Sequence, residues 1–251
     1  MDTFDIEVCD TQSRFVVDPV TSNCRSIFER GEHVVFGVSP GNSYFSVALL
    51  TDLLGWLSEI FSRIDVVVPD SGLEHTYHAL GYTVRGAERK ARGEVNAVRN
   101  RVLRAWDNLG GPRGSDALSM LSMLFDNRNY VEKLAECEST VKGDDDLWEA
   151  CVAVSRNILM GRGVEEVSNA ERERRAMRYI IEELPLVLDS ARIFDAPSSM
   201  CFYHRRTLLA EMIFSEGSAL RASSRQGYAL VRPAGSFVDG ATSEVPVHDD
   251  R

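Results

Sequence analysis

The chain has 251 residues, of which 44% are hydrophobic and 26% charged, a composition typical of a globular protein with one core. Its net charge of −10 argues against a protein that coats nucleic acid non-specifically, and no apolar run is long enough to span a membrane. The amino terminus does not resemble a signal peptide, and the five cysteines show no Cys-x-x-Cys spacing. These features argue against a disulfide framework or a zinc site and predict a cytoplasmic protein.

Short β-branched runs and longer helical patterns alternate along the chain. Residues 1–30 are mixed, and we expect an irregular N-terminal extension or a peripheral strand there. The predicted strands are 33–38, 65–69, 200–203 and 228–231, and the predicted helices are 44–63, 84–106, 116–134, 146–160 and 170–184. The order strand, helix, strand is typical of a βαβ unit. The sequence therefore predicts one Rossmann-like α/β domain over 31–232, doubly wound with a mostly parallel sheet flanked by helices, and a disordered tail over 233–251.

Polar residues follow two of these predicted strands. Residues 37–46 read GVSPGNSYFS, which places Ser39 on a glycine-flanked turn before a helix that begins near Tyr44. Helix N-terminal amides beside such a turn can stabilise an oxyanion, so Ser39 is a candidate nucleophile. Tyr203 and His204 end a later apolar strand, and strand ends of this kind line the ligand crevice of a doubly wound fold.

The predicted helix over 84–106 is strongly basic on the side away from its apolar stripe. A solvated helix face is the default interpretation of such a run of charges. In an acidic protein, however, an arc with so few carboxylates also suits the phosphates of a nucleic acid. The cations are Arg85, Arg89, Lys90, Arg92, Arg99, Arg101 and Arg104.

Residues 168–171 (SNAE) predict a capping box at the start of the helix that carries Tyr179 and Glu183. Those two residues are spaced i, i+4 and therefore share a helix face. Pro185 is expected to end or kink the helix near Glu183, which favours a position at the edge of a pocket. A carboxylate beside a phenol can hold an ammonium group, although a surface glutamate beside a half-buried tyrosine is favoured from these residues alone.

Taken together, these segments resemble the cyclodipeptide synthase family, whose members use two aminoacyl-tRNAs to make a cyclic dipeptide. The resemblance rests on GVSPGNSYFS at 37–46, YIIEELP at 179–185 and SSMCFYH at 198–204, and it covers roughly residues 30–232. It implies a fold similar to the catalytic domain of class I tyrosyl- and tryptophanyl-tRNA synthetases. The ATP-binding motifs of those enzymes, HIGH and KMSKS, are absent from the sequence, which fits an enzyme that receives activated amino acids.

The resemblance also implies roles for single residues. Ser39 would take the first aminoacyl group, and Tyr179 and Glu183 would bind its α-ammonium group, with Glu183 also accepting a proton later. Attack by the second substrate's amine, or an equivalent transfer, would give a dipeptidyl-enzyme that cyclises and regenerates Ser39. No metal or nucleotide cofactor is needed, and the basic helix would bind the acceptor arm of the tRNA.

Asn42, Tyr203 and His204 resemble the branch of the family that those three residue types define. Tyr203 would relay protons during cyclisation, while Asn42 and His204 would support the geometry of the site.

Further residues would form the two amino-acid pockets. The first pocket would suit an apolar or modest-sized side chain; its lining would be Val35, Gly37, Val67, Leu186 and Cys201. Arg162, Arg205 and Arg206 would lie near the second pocket or the tRNA path. A preference of Arg205 or Arg206 for an acidic second amino acid is one hypothesis, and contact with solvent or phosphate is the favoured one.

Two other classes of protein stay open on the residues alone. An α/β-hydrolase-type serine esterase shares Gly-x-Ser-x-Gly, with His204 as its candidate base, although Ser39 comes early in the chain for that fold. A non-catalytic tRNA- or RNA-binding module could use the basic helix. The sequence does not fix the oligomeric state or the two amino acids that are joined.

Overall fold

The computed structural model describes residues 14–113, 116–162 and 170–234. Within these ranges, strands and helices alternate along the chain. The strands are β1 (Phe15–Pro19), β2 (His33–Gly37), β3 (Arg63–Val68), β4 (Ser119–Met120), β5 (Ser199–Tyr203) and β6 (Gln226–Pro233). The helices are α1 (Ser22–Arg30), α2 (Val47–Ile60), α3 (Leu73–Ala79), α4 (Val84–Leu109), α5 (Arg128–Gly143), α6 (Asp145–Met160), α7 (Ala170–Ile193) and α8 (Leu208–Ile213).

The strands form one sheet with the order β1-β6-β5-β2-β3-β4. All neighbouring strands are parallel except β1 and β6. The prediction of an α/β fold with a mostly parallel sheet is therefore confirmed. The connections reverse direction at β2, because β3 follows on one side and β5 returns on the other. The carboxyl end of β2 is thus the topological switch point, where ligands bind in open α/β sheets.

Helices cover both faces of the sheet, which explains why its strands read as continuous apolar runs. Val34 and Phe36 of β2 point into the larger core, with residues of α1, α2 and α4. Val35 of β2 and Val67 of β3 point to the other face, into a cluster that includes residues of α5 and α7. Residues of β2 therefore alternate between two hydrophobic cores. The core around Val35 and Val67 contains predicted residues of the first pocket.

Polar caps account for where several helices begin. The side chains of these caps accept a hydrogen bond from an amide in the first turn: Thr21, Ser46, Thr83, Asn127 and Asp144. Helices α1 and α4 end at Gly31 and Gly110, both in the left-handed region. An added Cβ at Gly31 would lie 2.3 Å from the Ile60 carbonyl oxygen, so only glycine fits there.

The predicted helix over 116–134 is wrong in its first half. The chain instead forms β4, which pairs with Val67 and Val68 of β3, and then a 3-10 helix over Leu121–Asp126. The α5 helix starts only at Arg128, after the cap Asn127. Sheet pairing and a local cap outweigh the helical pattern of this apolar run.

The predicted helix end near Glu183 does not occur, because α7 continues through Pro185 to Ile193; the kink, which was the other alternative, lies further along the helix. Non-helical dihedral angles occur later, at Asp189. Leu184, Leu186 and Leu188 are all buried, and their packing outweighs the helix hydrogen bond that proline removes.

Several predictions fall at the limits of the described chain. Residues 15–30 form β1, an edge strand, and α1, so the peripheral-strand alternative is confirmed for β1. The first two residues of the predicted capping box and residues 235–251 of the predicted tail lie outside the described residues. Over the described ranges, no helix has the length and apolar character needed to cross a bilayer.

Candidate active site

Ser39 lies two residues beyond the end of β2, on a loop over residues 38–46 that we call the Ser39 loop. The Val38 N–H donates to the Val67 carbonyl at 2.9 Å, which extends the β2–β3 pairing up to the serine. Helix α2 starts only at Val47, with Ser46 as its cap. The helix therefore starts three residues later than predicted, and a longer loop presents Ser39 at the switch point.

Two arginines hold the backbone of the Ser39 loop. Arg101 of α4 donates through Nη1 to the carbonyls of Asn42 at 3.2 Å and Phe45 at 2.8 Å. Arg162, just after α6, donates through Nη2 to the Pro40 carbonyl at 2.9 Å. Arg101 was predicted to bind tRNA, and Arg162 to lie near the second pocket or the tRNA path. In the structure, both contact the loop that carries Ser39.

Tyr179 and Glu183 of α7 meet Ser39 at this edge of the sheet. Tyr179 is only 5% exposed, and its hydroxyl interacts with both Ser39 and Glu183. Burial first, and then the Glu183 carboxylate, raise the pKa of Tyr179, whereas the hydrogen bond with Ser39 lowers it. Glu183 is therefore not a surface residue beside a tyrosine, the alternative that the two residues alone favoured.

The Glu183 carboxyl group is held in a poorly solvated position. Burial raises its pKa to about 7, with a further increase from Glu182, while the hydrogen bond with Tyr179 acts in the opposite direction. Its Oε1 atom is buried and has no hydrogen-bond partner. A buried acceptor without a partner is costly, and an ammonium group of a ligand would satisfy it.

Tyr203 brings a second phenol to the site from the end of β5. It follows Cys201 on the same face of the strand, and Glu183 acts electrostatically on both residues. Burial, followed by Glu183, raises the pKa of Tyr203 to about 12, whereas Arg205 lowers it. The phenol is therefore protonated at neutral pH and can donate a proton to a neighbouring atom.

His204 packs against the Ser39 loop instead of forming a triad. Its ring stacks on Tyr44 with 4.4 Å between centroids and meets Phe45 edge-on at 5.7 Å. Burial, followed by Arg205, lowers its pKa to about 4, and its Nδ1 atom is buried without a hydrogen-bond partner. Among the described residues no carboxylate pairs with His204, so the esterase alternative lacks its acid.

Asn42 stabilises a turn in the same loop, because its Oδ1 accepts a hydrogen bond from the Tyr44 N–H at 3.0 Å. This turn sets the position of the Tyr44 ring, on which His204 stacks. Asn42 and His204 thus both contact the Ser39 loop, and their supporting role stays a prediction.

The predicted residues of the first pocket lie on the α7 side of the sheet. Val35, Val67 and Leu186 pack in one apolar cluster, and Cys201 packs in a neighbouring cluster. An added Cβ at Gly37 would meet no atom within 4 Å, so open space lies in front of this residue.

Sequence reasoning missed Leu121, which is fully buried in the cluster of Val35 and Val67. The residue lies in the 3-10 helix that follows β4, inside the segment predicted as a long helix. Recognising the strand character of Ser119–Met120 would have placed Leu121 at the carboxyl edge of the sheet.

The cations of α4 differ in their surroundings. Arg85, Arg89, Lys90, Arg92, Arg99 and Arg104 are exposed, whereas Arg101 is half-buried. Lys90 pairs with Glu94 at 2.6 Å. Elsewhere, Arg205 is exposed, and Arg206 pairs with Asp18 at 3.0 Å.

The side chains at this edge can support acyl transfer, because they combine a hydroxyl nucleophile, a carboxylate and two protonated phenols. In the described part of the chain, no group of three or more His, Cys, Asp or Glu side chains is placed to hold a metal ion.

The doubly wound fold and the polar side chains gathered at this edge of the sheet are together typical of an α/β enzyme. A family model described as cyclodipeptide synthase matches residues 15–233, and the chain belongs to that family. It is therefore an enzyme that forms cyclodipeptides, as the sequence resemblance predicted.

Individual relatives agree with this assignment. The chain is 38% identical over 226 residues to the cyclo(L-tyrosyl-L-tyrosyl) synthase of Mycobacterium tuberculosis, covering 90% of this chain and 78% of the relative. It is 33% identical over 225 residues to the cyclo(L-leucyl-L-leucyl) synthase of Bacillus subtilis, covering 87% and 89%.

Solved structures show the same fold. A Mycobacterium tuberculosis protein described as relating cyclodipeptide synthetases to type I tRNA synthetases matches with a TM-score of 0.77 and 37% identity, over 88% of this chain and 94% of that chain. A cyclo(L-leucyl-L-phenylalanyl) synthase matches with a TM-score of 0.78 and 29% identity, over 88% and 99%. The predicted relation to class I synthetases is confirmed.

Proposed function

We propose that this cyclodipeptide synthase takes both amino acids from aminoacyl-tRNAs and builds the dipeptide as an ester of Ser39. The observation that carries the proposal is the meeting of Ser39, Tyr179 and Glu183 at the switch point. The serine supplies the nucleophile, and the unpartnered Oε1 of Glu183 supplies a place for an α-ammonium group.

In the first step, the Ser39 hydroxyl attacks the ester carbonyl of an aminoacyl-tRNA. The bond between that carbonyl carbon and the ribose oxygen breaks, the serine proton passes to the ribose oxygen, and the tRNA leaves with a free hydroxyl. The ester is already activated, so positioning and electrostatic stabilisation supply most of the acceleration. Tyr179 and Glu183 orient the aminoacyl group through its ammonium.

The second step has a direction that atom balance dictates. If the second tRNA's amine attacked the Ser39 ester, the dipeptide would end on tRNA and Ser39 would be free. A dipeptidyl-enzyme therefore requires the amine of the Ser39-bound residue to attack the carbonyl of the second ester. The bond between that carbonyl carbon and the ribose oxygen breaks, and the second tRNA leaves with a free hydroxyl. That amine must first lose a proton, and the carboxylate of Glu183, with a pKa of about 7, is a suitable acceptor.

In the last step, the free amine of the dipeptide attacks the Ser39 ester. The amide bond closes the ring, the ester bond to Ser39 breaks, and the serine oxygen regains a proton. Tyr203 is protonated at neutral pH and lies near Glu183, so it can relay this proton. The product is a 2,5-diketopiperazine.

The first amino acid is expected to carry an apolar side chain, since the pocket is lined by aliphatic residues and contains open space at Gly37. The exposed cations of α4 would bind tRNA phosphates, each contact releasing counterions.

The test uses purified protein and tRNA charged with radiolabelled amino acids. The wild type is expected to form a labelled ester and, on longer incubation, a cyclic dipeptide that mass spectrometry identifies. Ser39→Ala should give neither, whereas Ser43→Ala, an exposed serine of the same loop, serves as the matched control and should give both. A labelled adduct on Ser39→Ala protein, or release of free amino acid without any cyclic product, would contradict the proposal.

A further inference from the structure

Arg101 stands apart from the other basic residues of α4. Its guanidinium is turned onto the Ser39 loop, where Nη1 contacts the carbonyls of Asn42 and Phe45, and its Nε lies 3.5 Å from the Ala97 carbonyl of its own helix. The other α4 cations are exposed to solvent. Because N–H groups of the Arg101 guanidinium already donate to backbone carbonyls, fewer of its N–H groups remain to bind a phosphate.

Arg162 approaches the same loop from the segment after α6. Its Nη2 contacts the Pro40 carbonyl, and its Nη1 donates to the hydroxyl of Tyr77. The guanidinium also lies 5.0 Å from the centroid of the Tyr77 ring, so the aromatic face fixes its plane.

Gly41 shows that this contact is built into the loop. Its φ of +74° favours glycine, and an added Cβ would lie 2.8 Å from Arg162 Nη1. The loop backbone therefore approaches the guanidinium as closely as it does only because residue 41 has no side chain.

We propose that Arg101 and Arg162 are positioning residues, which clamp the Ser39 loop and so place the Ser39 hydroxyl for attack, and that Arg101 does not act as a phosphate contact. Without the clamp, the carbonyls of Pro40, Asn42 and Phe45 would lose charge-assisted partners, and the loop would relax. A misplacement of about 1 Å at a nucleophile costs on the order of 100-fold in rate.

The first part of the test measures the rate of Ser39 acylation and therefore rests on the proposed function. It distinguishes a role of Arg101 in positioning Ser39 from a role in tRNA binding. For Arg101→Ala, we expect Ser39 acylation at saturating aminoacyl-tRNA to slow about 10- to 100-fold, with the tRNA Kd and its salt dependence unchanged. Arg101→Lys keeps the charge but not the planar fork, and it should bind tRNA normally and acylate slowly. Arg104→Ala, three residues along the same helix, is the matched variant; it should raise Kd and reduce the salt slope by about one.

The second part of the test needs no tRNA. Amide hydrogen exchange of the free protein reports the Ser39 loop through the N–H groups of Val38, Tyr44 and Ser46, all hydrogen-bonded in the structure. We expect exchange at Tyr44 and Ser46 to accelerate at least tenfold in Arg101→Ala and Arg162→Ala and to stay unchanged in Arg104→Ala. The milder Arg101→Lys variant supplies the same comparison if an alanine variant does not fold.

The outcomes are distinguishable. Unchanged exchange in the loop overturns the clamp, as does an Arg101→Ala protein that acylates at the wild-type rate but binds tRNA weakly with a lower salt slope. If the wild type forms no acyl-enzyme while the arginine variants loosen the loop, the proposed function fails and the clamp stands.

Discussion

Glu183 changes its charge in the neutral pH range, because burial and Glu182 raise its pKa to about 7. In the proposed reaction, the carboxylate form, present above that pKa, is the one that would attract the α-ammonium group of the substrate. Below it the side chain is neutral and offers only hydrogen bonds. Ammonium binding is therefore coupled to the ionisation of a single buried acid.

We expect kcat/KM for Ser39 acylation to rise with pH through a midpoint near 7 and to fall again as the substrate's own amine deprotonates at about 8. In Glu183→Gln the rising limb should vanish and the maximal value should drop on the order of 100-fold. Single-turnover acylation between pH 5.5 and 9 measures both effects. A variant that retains the rising limb would assign it to another group.

Tyr203 belongs to a later step in the proposed reaction, since its protonated phenol is placed to serve cyclisation. Tyr203→Phe keeps the ring, removes the hydroxyl and should slow product release about 10- to 100-fold. Acylation of Ser39 should be little affected, so a dipeptidyl-enzyme should accumulate. Intact-protein mass spectrometry detects that species, and its absence alongside slow acylation would move Tyr203 to the first step.

The individual site residues could be predicted from sequence because their signals are local. Tyr179 and Glu183 share a helix face through i, i+4 spacing, Ser39 follows an apolar strand, and Tyr203 ends another. Leu121 could not be found this way, since its place depends on β4 pairing with β3. The contact of Arg101 with the Ser39 loop could not be predicted for a similar reason. Helix periodicity shows on which side of α4 the arginine lies, but it does not show which loop packs there.

At the level of elements, the strands were predicted more closely than the helix ends. Continuous apolar runs identified β2, β3, β5 and β6, whereas the start of α5 and the end of α7 were missed. Both misses arise where tertiary packing outweighs local preference. Pro185 is tolerated inside α7 because its neighbours are buried: Leu184 and Leu188 pack in a cluster with residues of α6 and α8, and Leu186 packs in a cluster with residues of β2, β3 and α5.

The architecture of the whole molecule depends on the order of strands in the sheet, and no local sequence pattern indicates that order. Sequence predicted a parallel α/β sheet, but only the structure shows that β5 returns beside β2 and that β1 closes the edge against β6. That arrangement brings Ser39 together with Glu183 and Tyr203. Ser39 is separated from Glu183 by more than 140 residues along the chain.

Close packing across the sheet predicts a stability effect at Gly227 of β6. An added Cβ there would lie 2.2 Å from the Met200 sulfur and 3.3 Å from Ile27, so Gly227→Ala should destabilise the fold by about 1–3 kcal/mol. Gly93→Ala is the matched control, since its Cβ meets nothing and alanine favours the α4 helix by about 1 kcal/mol. Urea unfolding measures both; a Gly227→Ala protein as stable as the wild type would contradict the packing argument.

The open space at Gly37 has a consequence for how this enzyme could change its product. A methyl group added at Gly37 would meet no neighbour, so Gly37→Ala should leave the free energy of unfolding nearly unchanged while shortening the first pocket. Competition between a large and a small aminoacyl-tRNA should then shift the product ratio towards the smaller residue several-fold, and an unchanged ratio would place the pocket elsewhere. In the proposed reaction, Gly37 would thus limit the length of the first side chain, and one substitution there would change the preferred substrate with little effect on the stability of the fold. Selection could then obtain a new cyclic dipeptide by changing a single codon.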